Sequence, residues 1–165
     1  MAGRASGDLI ERKYLAHYID SNMSNGVAVA YQRLGKDLEE YNIEMNPETE
    51  TKSNILGEST SRIKGYKPAS SVGTFFCYED DALYTALLGI VNNRSTGSDL
   101  ETTVVEVILD TDGTVVQAYR EKAVIIPQSI GGGQDGMQIP FNIEYTGSRT
   151  SGTWNTSTLT FTPAT

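Results

Sequence analysis

The chain has 165 residues, of which 38% are hydrophobic and 21% charged; that is enough for one folded core without metal or disulfide support, and too apolar for a disordered chain. A formal net charge of −8 excludes general affinity for nucleic acid or anionic membranes. The single cysteine, Cys77, excludes an internal disulfide, and the single histidine, His17, excludes a histidine-based metal cluster within one chain.

Residues 1–7 are small and polar, and no apolar signal-peptide core follows them. Together with the lack of any apolar run of transmembrane length, this predicts a protein made in a reducing cytosol. The opening residues read as a mobile tail. Residues 8–20, DLIERKYLAHYID, carry both a capping-box spacing (Asp8, Glu11) and the alternation of a short strand. They are expected to form a partly extended N-terminal arm over 1–20, ending in a turn at 21–26. A strand follows over 27–34, with Val27, Val29 and Tyr31 on one face. Gly35-Lys36-Asp37 turns the chain. Residues 38–45 show the cleanest alternation in the sequence: Tyr41, Ile43 and Met45 point one way, Glu40, Asn42 and Glu44 the other. An antiparallel sheet with one wet face gives this pattern.

Residues 46–71, NPETETKSNILGESTSRIKGYKPASS, break the rhythm. Their only large apolar side chains are Ile55, Leu56, Ile63 and Tyr66. Residues 49–56 can extend as a further strand, and the rest, up to Pro68, is expected to fold back as a long loop. Connections of this length inside a compact domain are usually functional or disordered. The charge here is organised. Residues 37–51 hold Asp37, Glu39, Glu40, Glu44, Glu48 and Glu50 and no base, a net of −6; residues 52–72 hold Lys52, Arg62, Lys64 and Lys67 against Glu58, a net of +3. Charge runs are ordinarily solvated faces. Here few apolar residues are available to hold the stretch to its own domain, which favours an arm that reaches another molecule, a basic arm docking on an acidic neighbour.

Residues 72–78 read as a buried strand. Asp80 to Asn92 read as the one helix, opened by Glu79, Asp80 and Asp81 and striped by Leu83, Leu87 and Val91 with Tyr84 and Leu88. Strands are then expected over 102–110 and 114–127, joined by an Asp-Gly turn. Gly131-Gly132-Gly133 makes a turn. Residues 138–146 alternate, with Ile139, Phe141, Ile143 and Tyr145 inward, and 154–162 closes the chain with Leu159 and Phe161 inward. The expected architecture is a single domain, mainly β: a β-sandwich or small barrel of about eight antiparallel strands, one flanking helix (about 80–92) and a long protruding loop (about 46–71).

Candidate chemistry is sparse. Glu79, Asp80 and Asp81 are better read as a helix N-terminus than as an acid cluster. Asp110, Asp112 and Glu121 have a faint calcium-loop spacing, but Val115 stands where that loop needs glycine. The triple glycine lacks the Gly-Lys-Ser/Thr of a phosphate loop. His17 has no recognisable catalytic partner, and Cys77 lies in an apolar strand as an inert thiol. No catalytic, cofactor or metal site is predicted.

The order of the segments YQRLGKDLEEYNIEMNPETETKSNILG, IKGYKPASSV, a strand and single helix, YREKAVIIPQSIGGG and TGSRTSGTW resembles that of phage major tail tube proteins over residues 14–162. The resemblance implies a β-sandwich subunit of hexameric rings that stack into a hollow tube for genome delivery. Its partners would be itself, the tape measure protein, the tail terminator, and distal tail or baseplate proteins. DNA would pass without specific binding, and no cofactor or membrane would be involved. The virion tail is then the destination, with assembly in the host cytoplasm. On that reading 46–71 is an intersubunit loop, with Lys52, Ile55, Leu56, Arg62, Ile63, Lys64, Tyr66 and Lys67 as its contact residues. The carboxylate face of 38–45, Glu40, Asn42 and Glu44, becomes the candidate lumen lining, repelling DNA rather than adsorbing it. The same family relationship extends to contractile-tail, tailocin and type VI secretion tubes, which stand as the alternative. A carbohydrate-binding or adhesin β-sandwich is the alternative from another class; it would show exposed clustered aromatics, whereas the only tryptophan is Trp154.

Overall fold

The computed structural model describes residues 3–23 and 28–165. The chain is mainly β, with eleven strands and one α-helix among the described residues: β1 (Leu15–Asp20), β2 (Tyr31–Leu34), β3 (Ile43–Glu44), β4 (Pro47–Ser53), β5 (Ser59–Tyr66), β6 (Ala69–Val72), α1 (Ala82–Asn93), β7 (Glu101–Leu109), β8 (Val115–Pro127), β9 (Phe141–Tyr145), β10 (Thr150–Asn155) and β11 (Thr160–Pro163). All pairings are antiparallel. Nine strands form one curled sheet, a half-barrel, with the order β2-β1-β7-β8-β9-β6-β3 and with the β10–β11 hairpin branching from β8. β4 and β5 form a second, two-stranded sheet of their own.

The long strand β8 organises the domain. It pairs with β7 along most of its length, with β9 through 123–127 and with β10 through 118–120, so its two halves belong to two different surfaces. Apolar residues occur on both sides of β7, and each side has its own core. Ile19, Val104, Ala123, Ile125, Phe141 and Ile143 pack with Leu83 and Leu87 of α1 on one side. Ala16, Tyr18, Val105, Val107 and Ala118 pack under Trp154 and Phe161 on the other. β1 is buried on both faces, so the short-strand alternation of its sequence marks no wet side and does not reveal an interior strand. Leu15–Asp20, expected at the end of an extended arm, sits between β2 and β7. The tail before it is tied down as well: the Arg4 backbone N–H donates to Asp110 Oδ1 (2.6 Å) and its guanidinium to the Leu109 carbonyl (2.7 Å).

Several expected boundaries shift for local reasons. Strand 27–34 is observed from Tyr31, and Val27 and part of the 21–26 turn lie outside the described residues. The alternating stretch 38–45 is a strand only at Ile43–Glu44; Tyr41 is buried as expected, but Met45 is exposed. The reason is tertiary. Residues 35–42 leave β2 at one end of the sheet order and reach β3 at the other, so they cross as a strap with no neighbouring strand. Tyr41 pins the strap, edge-on to His17 of β1 (4.5 Å between ring centroids) and with its hydroxyl 3.0 Å from that of Tyr145 on β9. Strand 72–78 is displaced to Ala69–Val72, with Phe75 carrying the burial beyond it.

The helix begins at Ala82, after the acidic trio rather than within it. Asp81 caps it by accepting from the Leu83 N–H (3.0 Å), and also accepts from Gln32 of β2 (2.8 Å). Leu83, Leu87 and Ile90 are its buried stripe. The single strand expected at 154–162 is a hairpin, because Asn155 Oδ1 accepts from the N–H groups of Ser157 and Thr158 and turns the chain, leaving Leu159 at positive φ and outside the core.

Candidate assembly surface

The protruding segment is an ordered hairpin. β4 and β5 pair from Pro47↔Tyr66 to Ser53↔Ser59, with a bulge at Glu48/Thr49. The turn closes on Asn54, whose side-chain oxygen accepts from the N–H groups of Leu56 (2.9 Å) and Glu58 (3.0 Å), with Gly57 at φ +81°. An Asn side chain bonding its own backbone two residues on is a common turn device, and glycine takes the positive φ without strain. The segment folded back as a strand rather than as the expected loop because hydroxyl and charge pairs match across it.

The two faces of the hairpin differ. On one, Glu50 lies opposite Arg62 and is held by three cations: Arg62 (3.0 Å), Lys64 (3.2 Å) and Lys52 (3.7 Å). Nearer the base, Lys67 pairs with Glu48 (2.7 Å). On the other, Thr51–Ser61 and Ser53–Ser59 are hydroxyl pairs at 2.9 and 3.0 Å, with Ile63 next in line. The expected acidic neighbour of the basic half is therefore the hairpin's own first strand. Solvent screens such exposed pairs, so the charges fix register more than they stabilise. What the hairpin leaves without a partner is apolar: relative exposure is 101% for Ile55, 77% for Leu56, 54% for Ile63 and 54% for Tyr66.

Glu40, Asn42 and Glu44 are all exposed. Asn42 donates to Glu40 (2.6 Å), and Glu44 lies opposite Ala69 at the sheet edge. They share the solvent-facing side of the strap and β3, but not one continuous strand face.

A buried polar cluster lies beneath the strap, and nothing local in the sequence announced it. His17, Glu106 and Tyr119 stand in one cross-strand row on β1, β7 and β8. Arg149 donates to Glu106 (3.2 Å), lies 3.5 Å from the buried Glu121 and stacks over the Tyr119 ring (4.2 Å). The Tyr145 hydroxyl contacts Tyr41 and Ser70 (3.3 Å). Arg12 lies 3.0 Å from His17 Nε2 and donates to the Tyr41 carbonyl (3.0 Å). Burial, helped by the Arg12 and Arg33 charges, holds the His17 imidazole down at about 4. Burial pushes the Glu106 carboxyl up against the pull of Arg149. His17 Nδ1 and Glu106 Oε1 have no hydrogen-bond partner among the described residues.

The other candidate features are structural. Asp110 and Asp112 accept from the backbone of their own turn; the backbone N–H of Thr111 holds the Asp110 carboxyl below its usual range, and the Thr114 side chain, with its backbone N–H, does the same for Asp112. Glu121 is far from that turn, in the buried cluster. The triple glycine is a tight loop in which a Cβ on Gly132 would fall 2.2 Å from the Gly136 carbonyl oxygen. Among the described residues, no group of three or more His, Cys, Asp or Glu could hold a metal ion, and no helix is long and apolar enough to cross a membrane.

This architecture has solved counterparts. A chain from the anti-feeding prophage cap, the AFP tube-terminating cap, superposes with a TM-score of 0.56 at 9% identity, over 91% of this chain and 95% of that one. A chain from the sheath–tube complex of the PVC extracellular contractile injection system, in the extended state, gives 0.54 at 6% identity, over 88% and 93%. A chain from the PVC sheath/tube terminator gives 0.56 at 7% identity, over 90% and 100%. The fold is tail-tube-like. At these identities the likeness is one of fold, and it spans nearly the whole of each chain. No protein-family model and no curated protein sequence matches the chain.

Proposed function

We propose that this chain is a structural, non-catalytic tube subunit of a phage tail or related injection system. It self-assembles into stacked hexameric rings around a lumen through which genome or cargo passes. The observation that carries the reading is the β4–β5 hairpin. An isolated two-stranded hairpin is marginally stable in water, and this one has no strand pairing to the main sheet and presents its apolar side chains to solvent. A surface on another molecule accounts for both. Ring closure and ring stacking are heterologous contacts, the first closing and the second open-ended. Lys52, Ile55, Leu56, Arg62, Ile63, Lys64, Tyr66 and Lys67 are then intersubunit residues, and Glu40, Asn42 and Glu44 the lumen candidates. The tape measure, terminator and distal tail proteins are the further partners of this reading, within a virion tail assembled in the host cytoplasm.

A long non-contractile tail is the first choice of system, and a contractile tail, tailocin or type VI tube the alternative. A second role is favoured by a specific observation: two of the three structures named above are a tube-terminating cap and a sheath/tube terminator. On that reading the chain forms one ring at the end of a tube rather than the repeating ring. Electron microscopy of concentrated purified protein tests both. Hollow tubes of stacked rings support the repeating subunit, single rings that do not stack support the terminator, and a persistent monomer that binds glycans overturns the tube reading.

A further inference from the structure

We propose that the hairpin tip of one copy seats in a cavity beside β1 and β2 of a second copy, with Ile55 and Leu56 as the inserted knob. The inference rests on the assembly reading and names its contact. The cavity has a volume of about 610 Å³, an ordinary size for a ligand pocket. Leu15, Leu34, Leu38 and Tyr41 supply its apolar lining, and Arg12, Lys13, Arg33 and Lys36 its cations, with Glu39 and Glu40 beside them. A chain of net charge −8 thus gathers four cations around one apolar hollow.

Both parts are pre-organised. Arg12 is fixed by the Leu15 carbonyl (2.7 Å) and the Tyr41 carbonyl (3.0 Å), and Arg33 donates to the Lys13 carbonyl (3.1 Å). On the hairpin, Asn54 sets the turn and also donates to the Glu58 carboxylate (2.8 Å), which keeps one negative charge beside the two aliphatic side chains. An apolar pair with an adjacent carboxylate complements an apolar hollow with a cationic rim. Groups already held in place lose little freedom on docking.

Topology gives the contact its direction. The hairpin leaves the sheet between β3 and β6, at one end of the strand order, and the cavity lies against β1 and β2 at the other. Donor and acceptor are different surfaces, so one copy can give its tip to a second and take the tip of a third, a heterologous contact that propagates; a reciprocal exchange between two copies would stop at a covalent dimer in the test below. Within one copy Ile55 remains fully exposed, so the chain does not satisfy its own tip.

The test is a cysteine pair, Leu56→Cys with Leu38→Cys, in a Cys77→Ser background. Oxidation of the assembled protein is expected to give a ladder of covalent oligomers on a non-reducing gel, absent from either single-cysteine protein. Normal assembly without a ladder overturns the proposal. If the unaltered protein forms neither rings nor tubes, the assembly reading itself fails and this contact with it. Amide hydrogen exchange on the unaltered protein is the second measurement. Protection is expected to rise together at 54–58 and 34–41 on assembly; a rise at only one of the two overturns the pairing.

Discussion

The His17 imidazole is buried against Tyr41, with Arg12 at Nε2 and no partner at Nδ1 among the described residues. An unfolded imidazole titrates near 6.5 and this one at about 4. As pH falls, protons therefore bind the unfolded chain first. The stability associated with neutral His17 is complete above pH 6.5 and is lost as pH drops through 4. The loss amounts to about 2–4 kcal/mol. Glu106, whose carboxyl is raised, runs the other way: its contribution is present at low pH and is lost as pH rises. Comparing the wild type with His17→Gln isolates the histidine. The difference between their urea midpoints is expected to change steeply between pH 6.5 and 4 and to be flat above 7; a pH-independent difference would mean that His17 titrates alike in the folded and unfolded chain. Gly152 makes a second prediction. A Cβ there would fall 2.2 Å from the Thr162 carbonyl oxygen and 2.6 Å from the Phe161 ring. The β10–β11 hairpin closes over its core only because that position lacks a side chain. Gly152→Ala is expected to cost about 1–3 kcal/mol through overpacking, read from chemical denaturation; an unchanged midpoint would contradict the close approach. Neither residue was legible in the sequence. The neighbours of His17 come from the turn before β1, from β7 and from the strap, and a glycine between Ser151 and Thr153 looks like any turn residue until Phe161 lies over it.

At the scale of elements, α1 and the β4–β5 hairpin contrast. The helix is joined to the sheet at its first residue, because Asp81 both caps it and accepts from Gln32. Asp81→Ala is expected to cost about 1–2 kcal/mol, the usual range for a lost N-cap, with Asp81→Asn restoring most of it in thermal melts. Full stability in the alanine variant would remove the cap from the argument. The hairpin pairs with no strand of the main sheet among the described residues and leaves Ile55, Leu56, Ile63 and Tyr66 exposed. Replacing residues 47–66 by a Gly-Gly link is expected to leave the monomer's melting temperature within a few degrees and to abolish rings and tubes in electron micrographs; tubes from the shortened chain would show that assembly does not use it. Legibility follows the same division. Strands β7, β8 and β9 were readable because each alternates or ends at a strong turn, and the inward set Ile139, Phe141, Ile143 and Tyr145 is buried as expected. The strap was misread as a strand because alternation reports one buried side and one wet side, and Tyr41 against Glu40 and Asn42 satisfies that without any neighbouring strand. That residues 46–71 protrude was readable from their poverty in apolar residues, but they were expected as a strand extension and a fold-back loop rather than as a paired hairpin. The pairing was not readable, since that depends on Glu50 meeting Arg62 and Lys64 from twelve and fourteen positions away.

At the scale of the whole molecule, the net charge of −8 is unevenly spread. The hairpin, residues 47–67, holds Glu48, Glu50 and Glu58 against Lys52, Arg62, Lys64 and Lys67, so it is nearly neutral and internally paired. The strap and β3 keep Glu40 and Glu44 exposed, and neither makes an ion pair among the described residues, although Glu40 stands at the rim of the cavity that Arg12 and Lys36 also line. Intersubunit contacts tolerate matched charge, whereas unmatched carboxylates repeated around a ring suit a surface that must not hold a polyanion. If they face the lumen of a tube, as proposed above, the same two residues recur in every subunit and their field adds along the bore. Duplex DNA bound through its phosphates is released by salt, and a lumen that repels them needs no such release. Glu40→Lys with Glu44→Lys reverses the sign of that surface without touching the core. If these residues line the bore, particles assembled from the double variant should retain DNA or eject it slowly at low salt and recover as salt rises. Wild-type ejection from fully assembled variant particles, unchanged with salt, would place both carboxylates on the outside of the tube.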